Sequence, residues 1–409
     1  MRIIRCVNIM KVVQINSVCS FGSTGRIVVD LSKEMTKSNI ENYIIYGIGL
    51  SDYPLGIKIG NKIDLRLHQL HTRLLGYHGY ASKLMTRKII NKLEEIQPDI
   101  IHLHNIHSFY LNIEILFRYL AEINKPVIWT LHDCWAFTGH CPYFDYIHCE
   151  RWQIGCYNCP QKYSYPISYL FDRSEEQWRI KKKLFTSVRD MCIVTPSHWL
   201  AGLVQKSFLK KYDIKIINNG IDLEIFKPTS SSIRKNFGIS DKYVILGVAS
   251  YWGMRKGLLH FIQLSEKLGE NYQIILVGLT HKQKKMLPNN IIGITRTNNI
   301  QELVELYSVA DVFVNPTLED NFPTVNLEAL ACGTPVITFN TGGSPEAIDS
   351  TCGMVVEKGN INELVIAIKD ICNNSKLNKQ KIKENCVERA SNFNKEKKFG
   401  EYINLYRSR

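Results

Sequence analysis

The sequence lacks any apolar run of the roughly 18 residues needed to cross a bilayer as a helix, so a helical membrane span is not expected. A secretory leader is not expected either, because Arg2, Arg5, Asn8 and Lys11 interrupt the apolar stretch from Met1 to Cys19. That points to a cytoplasmic chain, and Met10-Lys11-Val-Val-Gln-Ile reads as an ordinary start that makes residues 1–9 an upstream extension. There is no full Gly-x-Gly-x-x-Gly and no P-loop, which argues against a nicotinamide enzyme or an ATPase. No Asp-x-Asp pair is present to hold a metal against a leaving phosphate, so no cofactor is expected to be required for catalysis. With 45% apolar and 22% charged residues, disorder and low-complexity scaffolding are also poor readings.

The 409 residues are about twice what one core usually supports, so two domains are expected. Lys and Arg exceed Asp and Glu by 51 to 38, a net charge of +13 that favours anionic partners: phosphate, nucleic acid or anionic lipid. Nucleic acid is the poorest of these, since no zinc finger, aromatic RNA-binding motif or basic helix array is present. The densest basic segment, Lys58–Lys92, holds eight Lys or Arg against Asp64 alone, with leucines interleaved. It reads as a basic amphipathic stretch suited to peripheral contact with anionic lipid.

Short apolar runs alternate with helical patterns over residues 11–200 and again from 243 onward, the signature of repeated βαβ units. The expected class is α/β, with two parallel-sheet domains: residues 1–226, carrying a Cys-rich insertion at about 134–160, and residues 227–392. A C-terminal helix over 393–409 is expected to pack back toward the first domain. Ligands of such sheets bind beyond the strand C-termini, so the cleft between the domains is the expected site.

After the strand Val312–Asn315 comes a loop with Asp320 and then a helix start at Pro323-Thr324-Val325, with Glu328 about one turn in and Gly333 closing it. Free amides at such a helix start can hold a diphosphate, and Glu328 can accept two hydrogen bonds from a ribose diol. Asp320 is placed to reach hydroxyls of a sugar beyond the phosphates. Thr341-Gly-Gly-Ser-Pro-Glu346 follows at once. Together these segments resemble the retaining, two-Rossmann GT-B glycosyltransferases of family 4, as seen in capsule, colanic-acid and O-antigen synthesis. That family carries a Glu, seven residues, Glu pattern, then Ala-Cys-Gly-x-Pro-Val and Gly-Gly-x-x-Glu. Here Asp320 stands at the first acidic position, with Glu319 one place earlier.

The resemblance implies donor contacts from Asn321, Phe322, Pro323, Thr324, Val325 and Glu328. It matches Lys256 to a lysine that holds the donor diphosphate. The arginine expected six residues earlier is replaced by Ser250, which is expected to remain a donor contact, leaving Arg255 to supply that charge. The segment Phe21-Gly22-Ser23-Thr24-Gly25-Arg26 resembles the family's glycine loop, making Gly22, Ser23 and Gly25 donor-phosphate contacts. His132 matches the position lining the donor sugar and, with Asp320, Arg255 and Lys256, forms the expected catalytic set. Asn105, His107 and Asp133 are expected on the acceptor side, whereas His102 reads as a core histidine. The implied activity is retaining transfer of a hexosyl unit from a UDP- or GDP-sugar to a glycan or polyprenyl-diphosphate-linked acceptor of a bacterial surface polysaccharide. A nucleotide-sugar epimerase and a non-catalytic sugar-nucleotide binder are the alternatives.

Five of the twelve cysteines lie within residues 134–159. Cys156-x-x-Cys159 has knuckle spacing, and Cys141 and Cys149 can complete a tetrahedral thiolate set, so a structural zinc is the candidate and plain thiols the alternative.

Overall fold

Strand runs that are apolar on both faces must be covered on both sides, which parallel strands with helical crossovers achieve. The computed structural model describes residues 9–409. The extension read at residues 1–9 lies, for residues 1–8, outside the described residues. The chain forms two compact units, one comprising the chain up to Ile217 together with Phe399–Arg409, the other Asn218–Lys398.

In the first unit, β1 (Lys11–Val18), β2 (Glu41–Ile48), β3 (Gly56–Lys58), β4 (Ile100–Leu103), β5 (Val127–Thr130), β6 (Met191–Thr195) and β7 (Asp213–Ile216) make one sheet. Its order is β3-β2-β1-β4-β5-β6-β7, with every pairing parallel. The order reverses between β1 and β4, so the segments leaving these two strands flank the topological switch point where such sheets bind ligands. In the second unit, β8 (Tyr243–Val248), β9 (Tyr272–Val277), β10 (Ile291–Ile294), β11 (Val312–Asn315), β12 (Val336–Phe339) and β13 (Gly353–Val356) run in the order β10-β9-β8-β11-β12-β13, again all parallel. There the reversal lies between β8 and β11.

The division at Ile217 and Asn218 precedes the expected boundary at 226 because Ile221 and Phe226 are buried in the second unit's core, with Tyr307 and Leu330. The helix Lys395–Arg407 enters the first unit at Phe399. Phe399, Tyr402, Ile403 and Tyr406 pack there on Val12, Ile100 and Ile128. The stretch Lys58–Lys92, which reads as one amphipathic segment in the sequence, is divided. It holds the end of β3, a helix Lys62–Leu75 stopped by Gly76 at φ 77°, and a second helix starting at Lys83. No helix among the described residues is long and apolar enough to cross a membrane.

Candidate active site

In the second unit, the loops leaving β8 and β11 at the switch point are stitched together. Arg255 and Lys256 lie in a 3-10 turn, Met254–Lys256, followed by Gly257 at φ 80°. A Cβ at Gly257 would meet the Pro316 carbonyl oxygen at 2.1 Å, so only glycine lets the basic turn come this close to the acidic loop. The Leu318 amide donates to the Arg255 carbonyl at 2.7 Å, and the Arg255 guanidinium donates to the Glu319 carbonyl. Lys256 Nζ donates to Asp320 Oδ2, with Arg255 Nη1 3.9 Å from the same oxygen. Burial alone would push the Asp320 carboxyl up, but Lys256 and Arg255 outweigh it and hold the group below the usual carboxylate range. Glu319, one place earlier, is fully buried, and Asp320 is the acid whose carboxylate accepts from Lys256.

The loop Thr341–Ser344 backs this acid. The Gly343 amide donates to the Asp320 carbonyl at 3.0 Å, and a Cβ at Gly342, whose φ is 57°, would lie 1.9 Å from that oxygen. Asn326 links the ensemble, accepting from Asn315 and donating to Ser344. Pro323 caps the helix Thr324–Ala331 rather than occupying its first turn, and Thr324 and Val325 open it. Phe322 is buried against Phe393, and Asn321 donates its amide to Asp320 Oδ1. Glu328, also buried, accepts from the Tyr307 hydroxyl at 2.9 Å. Sequence reasoning missed Tyr307: it sits at core spacing on a separate helix, Ile300–Val309, and only folding brings it to Glu328. Ser250 is exposed beside these loops.

In the first unit, Gly22, Ser23 and Gly25 are not a free loop, as the sequence suggests, but the first turn of the helix Gly22–Lys37. Gly25 packs tightly on the turn before it, and its carbonyl accepts from the Ser20 amide at 3.1 Å. Beyond β4 and β5, one small pocket is lined by His104, Asn105, His107, His132 and Asp133. His132 Nε2 is 3.2 Å from His104 Nδ1, and His104 Nε2 is 3.1 Å from Gln14 Oε1. Burial pushes the His132 imidazole down to about 4, only partly offset by Asp133, so the ring is neutral at physiological pH. His107 Nε2 is 2.9 Å from Asp133 Oδ2, and His107 Nδ1 is 3.1 Å from the Tyr165 hydroxyl. Asp133 also accepts the Trp135 amide at 2.9 Å. Against the burial that would raise it, His107 and this amide keep its carboxyl below the usual range. The Asn105 amide donates to Asn16 Oδ1. His102 is a core histidine, as expected, fully buried between the Tyr406 and Thr130 hydroxyls.

The Cys-rich insertion is tied to this wall through Lys181. Its fully buried Nζ donates to the Trp135 and Thr138 carbonyls at 2.9 and 3.1 Å and lies over the Trp135 ring. Cys141, Cys149, Cys156 and Cys159 line one small pocket with His140 and Trp152. The Gly139 amide donates to Cys156 Sγ at 3.2 Å. Among the described residues, no group of three or more His, Cys, Asp or Glu is assembled as a metal site.

Residues 24–225 match the family described as Glycosyltransferase Family 4, and residues 230–390 that described as Glycosyl transferases group 1. The chain is 25% identical to the putative colanic acid biosynthesis glycosyl transferase WcaC of Escherichia coli, over 87% of this chain and 89% of that one. Its fold is similar to that of sucrose-phosphate synthase from Thermosynechococcus elongatus, with a TM-score of 0.73, 17% identity and 98% of both chains covered. It is also similar to Anabaena HepE, solved in complex with UDP, with a TM-score of 0.70, 17% identity, and 98% of this chain and all of that one covered. The chain is therefore a glycosyltransferase with the GT-B fold of two parallel-sheet Rossmann-like units. Within that class it is of the family 4 type.

Proposed function

We propose that this glycosyltransferase moves a hexosyl unit from a UDP- or GDP-sugar to a glycan acceptor, carried on a polyprenyl diphosphate, in the synthesis of a bacterial surface polysaccharide, with retention at the anomeric carbon. The observation that carries this reading is the pairing of Lys256 and Arg255 with Asp320 beside the start of the helix Thr324–Ala331. Two cations and free helix-start amides suit a diphosphate, and a carboxylate beside them suits sugar hydroxyls. Glu328, braced by Tyr307, takes the ribose. The name of WcaC and the UDP held by HepE support the substrate class.

In this mechanism the bond from the anomeric carbon to the donor phosphate oxygen breaks as the acceptor oxygen bonds to that carbon on the same face. The acceptor proton passes to the departing diphosphate, whose growing charge Lys256 and Arg255 stabilise. Neutral His132 orients the sugar by hydrogen bonding, and His107 with Asp133 positions the acceptor. The test is titration with UDP and GDP, followed by transfer assays with their sugars and a polyprenyl-diphosphate-linked acceptor. One nucleotide is expected to bind, with Glu328→Ala weakening it by at least about tenfold. His132→Ala is expected to spare binding while abolishing most transfer. Failure of both nucleotides to bind would reject the reading, and product formed without acceptor would favour an epimerase.

For the Cys pocket we propose a structural zinc held by Cys141, Cys149, Cys156 and Cys159. Four thiols lining one pocket offer the donor chemistry that a structural zinc takes, although they are not assembled as a metal site among the described residues. Metal analysis of the purified chain is expected to find about one zinc per molecule. A content far below that rejects the site.

A further inference from the structure

The helix Lys62–Leu75 is inside out. Its buried residues are polar, His68 and Thr72, while Ile63, Leu67, Leu70 and Leu74 are 73%, 61%, 53% and 40% exposed. The inward side is well satisfied. His68 Nδ1 is 2.9 Å from Ser82 Oγ, its Nε2 accepts the Gly79 amide at 3.2 Å, and Thr72 donates to the Tyr77 carbonyl at 3.4 Å. The helix is therefore seated in its outward-apolar orientation by hydrogen bonds. At about 100° per residue the four exposed aliphatics fall in one sector of roughly 60°, opposite His68 and Thr72. Lys62, Arg66 and Arg73 form a row along one flank of that sector.

A second segment extends this surface. The Tyr169 amide donates to the Arg73 carbonyl at 2.8 Å, and Tyr169, Leu170 and Phe171 are 52%, 60% and 45% exposed beside the helix end. Two acids nearby are occupied by hydrogen bonds. Asp64 accepts from Ser82 Oγ at 2.6 Å, and Asp172 accepts from the Cys159 and Ser174 amides. A contiguous apolar face of this kind, bordered by a row of cations, is unusual on a chain surrounded only by water.

We propose that this face docks on an anionic phospholipid surface. Ile63, Leu67, Leu70 and Leu74, with Leu170 and Phe171, enter the headgroup boundary, and Lys62, Arg66 and Arg73 meet lipid phosphates. Charge complementarity selects lipid over a second copy of the chain, because the same face of a second copy would bring its own arginines against these. This surface is separate from the donor-binding residues, so nucleotide titration and vesicle binding fail independently.

The experiment is co-sedimentation of the full chain with vesicles of phosphatidylcholine alone and of phosphatidylcholine mixed with phosphatidylglycerol. Wild type is expected to bind the anionic vesicles at least about tenfold more tightly, and less so as salt rises. Leu67→Ser with Leu70→Ser should weaken binding about tenfold or more. Arg66→Gln with Arg73→Gln should weaken it roughly thirtyfold on anionic vesicles only. Unchanged thermal unfolding, and unchanged titration with whichever of UDP and GDP the wild type binds, would show that the variants are folded. Equal or absent binding of wild type to both vesicles overturns the proposal, as does wild-type binding by both folded variants. A dimer in sedimentation velocity that the leucine variant splits, without vesicle binding, would assign the face to self-association instead.

Discussion

Lys256→Ala is expected to lower kcat/KM for transfer about 10²- to 10³-fold, the range seen when one preorganised charge or donor aimed at a developing negative charge is removed. Lys256 and Asp320 are only partly exposed, and the turn that presents Lys256 is held by backbone contacts, through Gly257 and through the Leu318 amide on the Arg255 carbonyl. The substitution therefore removes the charge without removing the scaffold, and a small change in thermal unfolding is expected. Arg255 remains 3.9 Å from Asp320 and limits the loss of pairing there. Steady-state transfer and nucleotide titration check this together. A variant that keeps kcat/KM within about threefold of wild type would exclude Lys256 as the diphosphate ligand.

Acidification is expected to destabilise the first unit steeply between about pH 6.5 and 3. Burial pushes the imidazoles of His68 and His102 down to about 3 and that of His132 to about 4, with His78 and His104 also well below their ordinary value. Each is a base with a lowered folded-state pKa, so as pH falls through 6.5 the unfolded chain takes up a proton that the folded chain refuses. Stability is lost through that window and levels off only below the folded value. His102, His104 and His132 lie against one another, so their protonation is coupled and the loss is shared by the cluster. Denaturant titrations at stepped pH, read by the tryptophans of the first unit, measure it. A flat stability from pH 7 to 5 would contradict this burial. Because His132 is neutral across the physiological range, its own protonation should leave no inflection near pH 6.5 in the activity profile.

Much of the fold was legible in the chain. The strand Val312–Asn315 stands where its apolar run places it, because a strand buried on both faces leaves an uninterrupted signature. The strand Gly56–Lys58 was missed because three half-exposed residues carry no such signal. Asp320, Lys256 and Glu328 could be placed after strands by local spacing. The Gly22–Gly25 segment was misread as a loop because a glycine pair looks like a turn, although Gly25 packs within the first helical turn.

What the sequence alone determined is what is periodic or local: two parallel-sheet units, the helix start after β11, the acids and cations near strand ends, and a basic apolar segment. The tertiary structure decided which partners meet across long separations. Tyr307 braces Glu328, Lys181 reaches the Trp135 carbonyl, Tyr406 closes on His102, and the helix Lys62–Leu75 turns its leucines outward. Side-chain periodicity reports that a helix has two faces. Which face is buried depends on the hydrogen-bond partners that folding brings to it, here Ser82, Gly79 and Tyr77.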